Sequence, residues 1–248
     1  MKANKPFLTM AIILACILPL FFCACDSTPT VSEETSENIV ADINETKKEF
    51  TLENTIFIGD SNIYHLATYG IIPINQIWTG SEYYLTLEPD IYQKHIVFPD
   101  TKKQMTISKA TEIRKPEFII ITLGTDGAMS LDRNGFRLSF IQLIESIKSA
   151  SPETKIFVQS IFPVCQGTRD IRFTDPQKAN DKFSQANTWL SELAYEMDDV
   201  KYLNTATVLS DDCGNLKSEY NTDHRDGYHL NREGLIAMLK YIEDHAND

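Results

Sequence analysis

The sequence predicts an α/β fold, a parallel sheet with helices packed on both faces. Three observations carry that expectation. Short β-rich apolar runs alternate along the chain with segments of helical period. Two of the runs, "EFIIITL" (117–123) and "KIFVQSI" (155–161), are continuous and β-rich, of the kind buried on both faces. The chain has 248 residues, 42% of them hydrophobic and 23% charged, which suffices for one fully cored domain.

Five strands are expected. Thr55 to Ile58 runs into Gly59, and Ile74 to Trp78 precedes Gly80. The third and fourth are the two continuous runs, and Val200 to Leu203 is a short fifth. Helices fall between them. Phe136, Phe140, Leu143, Ile144 and Ile147 form one apolar stripe. Ala179, Phe183, Ala186, Leu190 and Leu193 form a second, with Trp189 expected in the core. Leu235, Met238, Leu239 and Ile242 form a third near the C-terminus. Such alternation implies βαβ units, and ligands then bind at the carboxyl ends of the strands. Residues 81–116 have weak periodicity and predict no clear element.

The N-terminus reads as separate from that domain. Lys2 and Lys5 precede an apolar run from Phe7 to Phe22, a basic segment and a hydrophobic segment too short for a comfortable membrane span. "LFFCAC" follows, with the small Ala24 before Cys25. This resembles a bacterial lipoprotein signal, cleaved after residue 24 and lipidated on Cys25. The expected organisation is a signal over 1–24, a polar tether over 25–50 and the domain over 51–248. Loss of residues 1–24 removes two lysines and no acid, taking the net charge from −12 to −14. That charge, with no Lys/Arg cluster, argues against nucleic acid as a partner. It also disfavours strongly anionic polymers. Beyond the signal only Cys165 and Cys213 remain, and they read equally as a disulfide or as two free thiols.

Three short motifs could carry chemistry. Gly59-Asp60-Ser61 ends the first strand just where a helix begins. Ser61 there could be a nucleophile backed by the N–H groups of a helix start, a phosphate cradle, or a simple helix cap. The phosphate reading lacks a glycine-rich signature. A nucleophilic serine needs a base, and the base needs an orienting group. Of five histidines only His229 has a carboxylate three residues earlier, Asp226, close enough on a turn to accept from its Nδ1–H. The third motif, Gly124-Thr125-Asp126-Gly127, ends the strongest strand.

In this order the three segments resemble the SGNH (GDSL-type) hydrolase family, whose blocks carry Gly-Asp-Ser, Gly-x-Asn-Asp and Asp-x-x-His. "SIFPV", the helix around Trp189, "YLNTA" and "DGYHLN" extend the similarity to a secreted lipoprotein branch, over about Asn54 to His245. The resemblance implies a three-layer αβα, flavodoxin-like fold with a five-stranded parallel sheet. It implies a serine esterase with Ser61 as nucleophile, His229 as base and Asp226 as its orienter. The implied oxyanion hole uses the Ser61 N–H, a glycine N–H from Gly80 in "IWTGSEYY" or, less suitably, from Gly70, and a side chain at position 126. No metal and no cofactor are expected; no histidine or cysteine spacing matches a metal site.

Position 126 departs from the family. Asp126 stands where an asparagine is expected, and Gly127 where an acid is. A carboxamide donates to a developing oxyanion, whereas a carboxylate repels it. The expected activity is removal of small acyl groups, such as acetyl, from a glycan or other small ester, outside the cytoplasm and anchored to the membrane by lipid. Transfer of the acyl group to an envelope glycan uses the same residues, and a non-catalytic glycan-binding lipoprotein would explain Asp126. Trp78, Tyr83 and Tyr84 could stack on a sugar ring or serve as core and rim.

Overall fold

The computed structural model describes residues 49–222 and 226–248. The signal, Cys25 and nearly all of the tether expected from the sequence lie outside the described residues, as do Asp223, His224 and Arg225. Among the described residues seven strands are present: β1 (Thr55–Gly59), β2 (Ile77–Trp78), β3 (His95–Phe98), β4 (Lys103–Thr106), β5 (Phe118–Thr122), β6 (Lys155–Gln159) and β7 (Val200–Leu203). The α-helices are α1 (Ser61–Thr68), α2 (Ile107–Arg114), α3 (Thr125–Ser130), α4 (Arg133–Ala150), α5 (Pro176–Glu196), α6 (Ala206–Leu209) and α7 (Arg232–His245).

Five strands form one parallel sheet in the order β2-β1-β5-β6-β7. Numbered among themselves they run 2-1-3-4-5, the flavodoxin-like order the sequence implied. Strand alternation divides the core into two layers. Ile56, Ile58, Ile119, Ile121, Ile156 and Val158 face α4 and α5, whose stripes through Phe140 and Phe183 are buried against them. Phe57, Phe118, Ile120 and Phe157 face the other way, onto Ile63 and Leu66 of α1 and Leu235, Met238 and Ile242 of α7. This is the three-layer αβα sandwich. Trp189 lies half-buried on the first layer, its ring 5.6 Å from that of Phe136.

The differences from expectation are local. Of Ile74–Trp78 only the last two residues are strand; Ile74–Gln76 is a 3₁₀ turn that delivers them to the sheet edge. Residues 81–116 hold an antiparallel hairpin, β3–β4, followed by α2. Trp78 is fully buried in the core and offers no face to a sugar. Cys165 and Cys213 are free thiols, one buried and one exposed. Among the described residues no helix is long and apolar enough to cross a membrane.

The sheet order reverses between β1 and β5, which pair in register from Thr55–Phe118 to Gly59–Thr122. Their carboxyl ends therefore flank a crevice at the topological switch point. Asp60-Ser61 leaves β1 there, and Gly124-Thr125-Asp126 leaves β5 there. Gly124 makes its turn with φ +124°, which a side chain would resist.

Candidate active site

Asp60, not Ser61, caps α1. Its side chain accepts from the Asn62 N–H at 2.9 Å, so the serine hydroxyl is not spent on the cap. Ser61 is the first helical residue, and its N–H has no acceptor within the helix. The Ser61 Oγ lies 2.7 Å from His229 Nε2. His229 Nδ1 lies 2.6 Å from Asp226 Oδ2, which also accepts from the His229 N–H at 3.1 Å. A carboxylate only accepts, so Nδ1 carries the proton and Nε2 is left to accept from Ser61. The structure thus brings together the three residues singled out in the sequence. Such a line can pass a proton from the serine hydroxyl to the imidazole.

The loop carrying Asp226 and His229 is braced from beneath. The Gly227 carbonyl accepts from the Cys165 N–H at 2.8 Å, and the Thr222 N–H donates to the His229 carbonyl at 3.0 Å. Burial pushes the Asp226 carboxyl up, but the hydrogen bond from His229, its charge, the backbone N–H and Thr222 together hold it below the usual carboxylate range. A depressed folded-state pKa stabilises the fold above the unfolded value, about 3.9, and that contribution vanishes as pH falls through the folded value. Asp226→Asn is therefore expected to melt below the wild type at neutral pH. The two melting temperatures should converge as a pH series descends into the acid range. A gap of constant size across the series would contradict the assignment.

The third motif joins the site through a residue the sequence did not connect to it. Tyr84 Oη donates to Asp126 Oδ2 at 2.8 Å. Burial, the hydrogen bond to Asp126 and that carboxylate's charge push the Tyr84 phenol up to about 12. Tyr84 comes from the loop that begins at Gly80. A Cβ on Gly80 would run into the Tyr84 carbonyl oxygen, so the loop's closeness requires glycine there. Tyr83, in the same loop, stacks on Tyr64 of α1 with ring centroids 3.7 Å apart. Gly80 therefore sits in a loop tied to both α1 and α3, and its N–H makes no backbone hydrogen bond among the described residues. Gly70, the weaker candidate, is at the other end of α1 from Ser61, with φ +66°.

Other neighbours were not apparent in the sequence. Tyr228 Oη donates to Asp60 Oδ2 and lies 3.0 Å from Thr125 Oγ1. Asn62 Oδ1 accepts from the Leu230 N–H at 2.8 Å. Burial pushes the Asp60 carboxyl up, opposed by its hydrogen bonds from Tyr228 and Asn62. The His65 ring lies 5.1 Å from that of His229; burial, then the neighbouring imidazole, lowers its pKa, which keeps it neutral at pH 7. Arg172 is held by Asp170 at 2.6 Å and lies 5.3 Å from the centre of the Tyr228 ring. A cavity of about 350 Å³ opens beside Gly80, walled by Tyr64, Ile77, Tyr83 and Val97. Neither this cavity nor two larger clefts, about 460 and 480 Å³, is lined by Ser61, Asp126, Asp226 or His229. Among the described residues no group of histidine, cysteine and acidic side chains could hold a metal ion.

Comparison with known proteins adds family membership. No curated protein sequence matches the chain. A protein of Streptococcus pneumonia provisionally described as a platelet activating factor superposes with TM-score 0.54 at 22% identity, covering 82% of this chain and 86% of its own. A GDSL-like lipase from Bacteroides thetaiotaomicron superposes with TM-score 0.50 at 14% identity, covering 80% of this chain and 92% of its own. At those identities the likeness shows the fold. The model of the GDSL-like lipase/acylhydrolase family matches residues 99–235. That span holds the Asp126 and Asp226–His229 segments but not Ser61 or Gly80, which the fold alone brings to them. The match takes in more than half of the 248 residues, and by it the chain belongs to the GDSL-like lipase/acylhydrolase family.

Proposed function

We propose that this acyl-ester hydrolase family member works by serine attack, with Ser61 as nucleophile, His229 as general base and Asp226 as the group that orients it. The observation that carries the reading is the unbroken line from Ser61 Oγ through His229 to Asp226, at 2.7 and 2.6 Å. In the forward step His229 Nε2 takes the Ser61 proton as Oγ attacks the ester carbon. The imidazolium, steadied by Asp226, then protonates the leaving alcohol. Water repeats the sequence in reverse on the acyl-enzyme and releases the acid. The Ser61 and Gly80 N–H groups are the oxyanion donors of this reading. Asp126 occupies the third place and supplies a carboxylate instead of a donor, so the wild-type rate is expected to be low. The direct test is a fluorophosphonate probe followed by peptide mass mapping. A phosphonyl adduct on the peptide carrying Ser61 is expected, together with acid release from p-nitrophenyl acetate. An adduct on any other residue, with Ser61 unmodified, would refute the assignment.

The substrate of this reading is a small acyl ester, such as an acetyl group, on a carbohydrate. Tyr83 and Tyr84, each about half exposed beside Gly80 and Asp126, support it, since an exposed aromatic face and a carboxylate suit a sugar ring and its hydroxyls. The location is extracytoplasmic, with a lipid on Cys25 after cleavage of residues 1–24. Its support is the basic and apolar N-terminal sequence with Ala24 before Cys25. In a Gram-positive host, Cys25→Ser is expected to shift the protein from the membrane pellet to the soluble fraction. A Cys25→Ser protein that still incorporates labelled fatty acid would refute it.

A further inference from the structure

Ser61 and His229 lie 168 positions apart, and so do the residues on either side of them. Asp60 accepts from Tyr228, Ser61 meets His229, and Asn62 accepts from the Leu230 N–H. The tripeptides 60–62 and 228–230 are thus bonded rung by rung. The outer rungs are well buried, since Asn62, Tyr228 and Leu230 are all sequestered from water. Asp60, Ser61 and His229 are partly exposed. Tyr228 has a single hydroxyl hydrogen, which goes to the Asp60 carboxylate, so the Thr125 hydroxyl donates to Tyr228 at 3.0 Å. Thr125 immediately precedes Asp126. One phenol therefore links the segment after β1, the segment after β5 and the loop before α7.

We propose that the Asp60–Tyr228 and Asn62–Leu230 rungs hold the Ser61 hydroxyl on the His229 imidazole, and that Asp60 and Tyr228 are positioning residues for the serine chemistry. The inference rests on the roles given above to Ser61 and His229. The middle rung joins the first residue of α1 to the loop before α7 through partly exposed side chains. Alone it would not keep its geometry against loop motion, and a displacement of about 1 Å can cost about a hundredfold in rate. The outer rungs remove that freedom. One of them is a hydrogen bond to a carboxylate, the stronger kind. The other ties the backbone beside His229 to the first turn of α1. Burial and the adjacent Asp60 charge keep the Tyr228 phenol protonated far above neutral pH, so the donor is always present. The competing account makes Tyr228 an ordinary core residue, packed on Phe173 with ring centroids 5.8 Å apart.

Tyr228→Phe in the full chain separates the two, because it keeps the ring and removes only the hydroxyl. The clamp predicts that kcat on p-nitrophenyl acetate and the rate constant for fluorophosphonate labelling both fall about 10- to 100-fold, with KM within about threefold. A core role predicts a lower melting temperature with both rates within twofold of wild type, and that result would overturn the proposal. Thr125→Val is nearly isosteric and serves if Tyr228→Phe fails to fold. It should lower the same two rates about 3- to 10-fold, and no change would again count against the clamp. The low-field proton resonance of His229 Nδ1–H gives a readout independent of turnover. It should broaden or exchange faster in Tyr228→Phe. If the wild type neither labels nor turns over but the resonance still responds to Tyr228, the serine mechanism fails, and with it the positioning role, while the hold of the outer rungs on His229 stands. If labelling is normal and both rate and resonance ignore Tyr228, the clamp fails and the serine mechanism stands.

Discussion

Ser61→Ala is expected to abolish covalent labelling and to lower kcat on a small acetyl ester by roughly a thousandfold to a millionfold. The lower end applies if Asp126 already slows the wild type, because the fall is measured down to the uncatalysed background. His229→Ala should be as severe, since an unassisted serine hydroxyl is a weak nucleophile. Asp226→Asn should cost up to about ten-thousandfold, because a carboxamide can present its N–H to Nδ1 and favour the wrong tautomer. The three residues act as one unit through the 2.7 and 2.6 Å contacts, so the losses should not add. A Ser61→Ala/His229→Ala double variant should be no slower than the worse single variant. Kinetics are measured with each protein's melting temperature alongside, so that a folding defect is not read as a catalytic one. Stoichiometric labelling that survives Ser61→Ala would place the nucleophile elsewhere.

The sequence disclosed the parts of this molecule whose physics is local. β5 and β6 are central strands, and burial on both faces makes 118–121 and 156–158 unbroken apolar runs. α4 and α5 bury one face each over 18 and 21 residues, long enough for their period to be unmistakable. The Asp226–His229 pair was visible because its spacing is three residues on one turn. What was hidden is long-range or weakly patterned. β4 buries neither face fully and pairs only with β3, so "KQMT" has no reason to look like a core strand. α2 buries only Ile107, Ala110 and Thr111 among eight residues, too few to print a stripe. β2 is two residues long at the sheet edge. In the site, Asp60 and Tyr228 appeared as neighbours of the important residues. Their bond spans 168 positions, and nothing in either tripeptide names the other. The tie from Tyr84 to Asp126 crosses 42 positions from the least patterned part of the chain. Two adjacent tyrosines there gave the one hint, and it pointed to aromatic stacking, not to a hydrogen bond.

Asp126→Asn is expected to raise kcat/KM on a small acetyl ester at pH 7 by about tenfold to a thousandfold. In the wild type one oxygen of Asp126 accepts from Tyr84 and the other can also only accept. Neither can support an oxyanion, and the negative charge opposes one. Asparagine in the same rotamer keeps an oxygen for Tyr84 and puts an N–H₂ where the second carboxylate oxygen was. The substitution thus adds a donor and removes a charge without giving up the contact that positions the side chain. Tyr84→Phe in the Asp126→Asn background tests that last step. It should forfeit part of the gain, since the carboxamide is then free to rotate. The proposed backbone donors, Ser61 and Gly80, are unchanged in all these proteins, so the comparison isolates position 126. A fall in activity on Asp126→Asn, with Ser61 still labelled at the wild-type rate, would show that the carboxylate has a task of its own on the substrate. The nearby Arg172, already engaged by Asp170, would then leave a cationic or hydroxyl-rich substrate group as its partner. Absence of turnover in both forms, with Ser61 unlabelled in both, would instead favour a lipoprotein that keeps the hydrolase fold for binding.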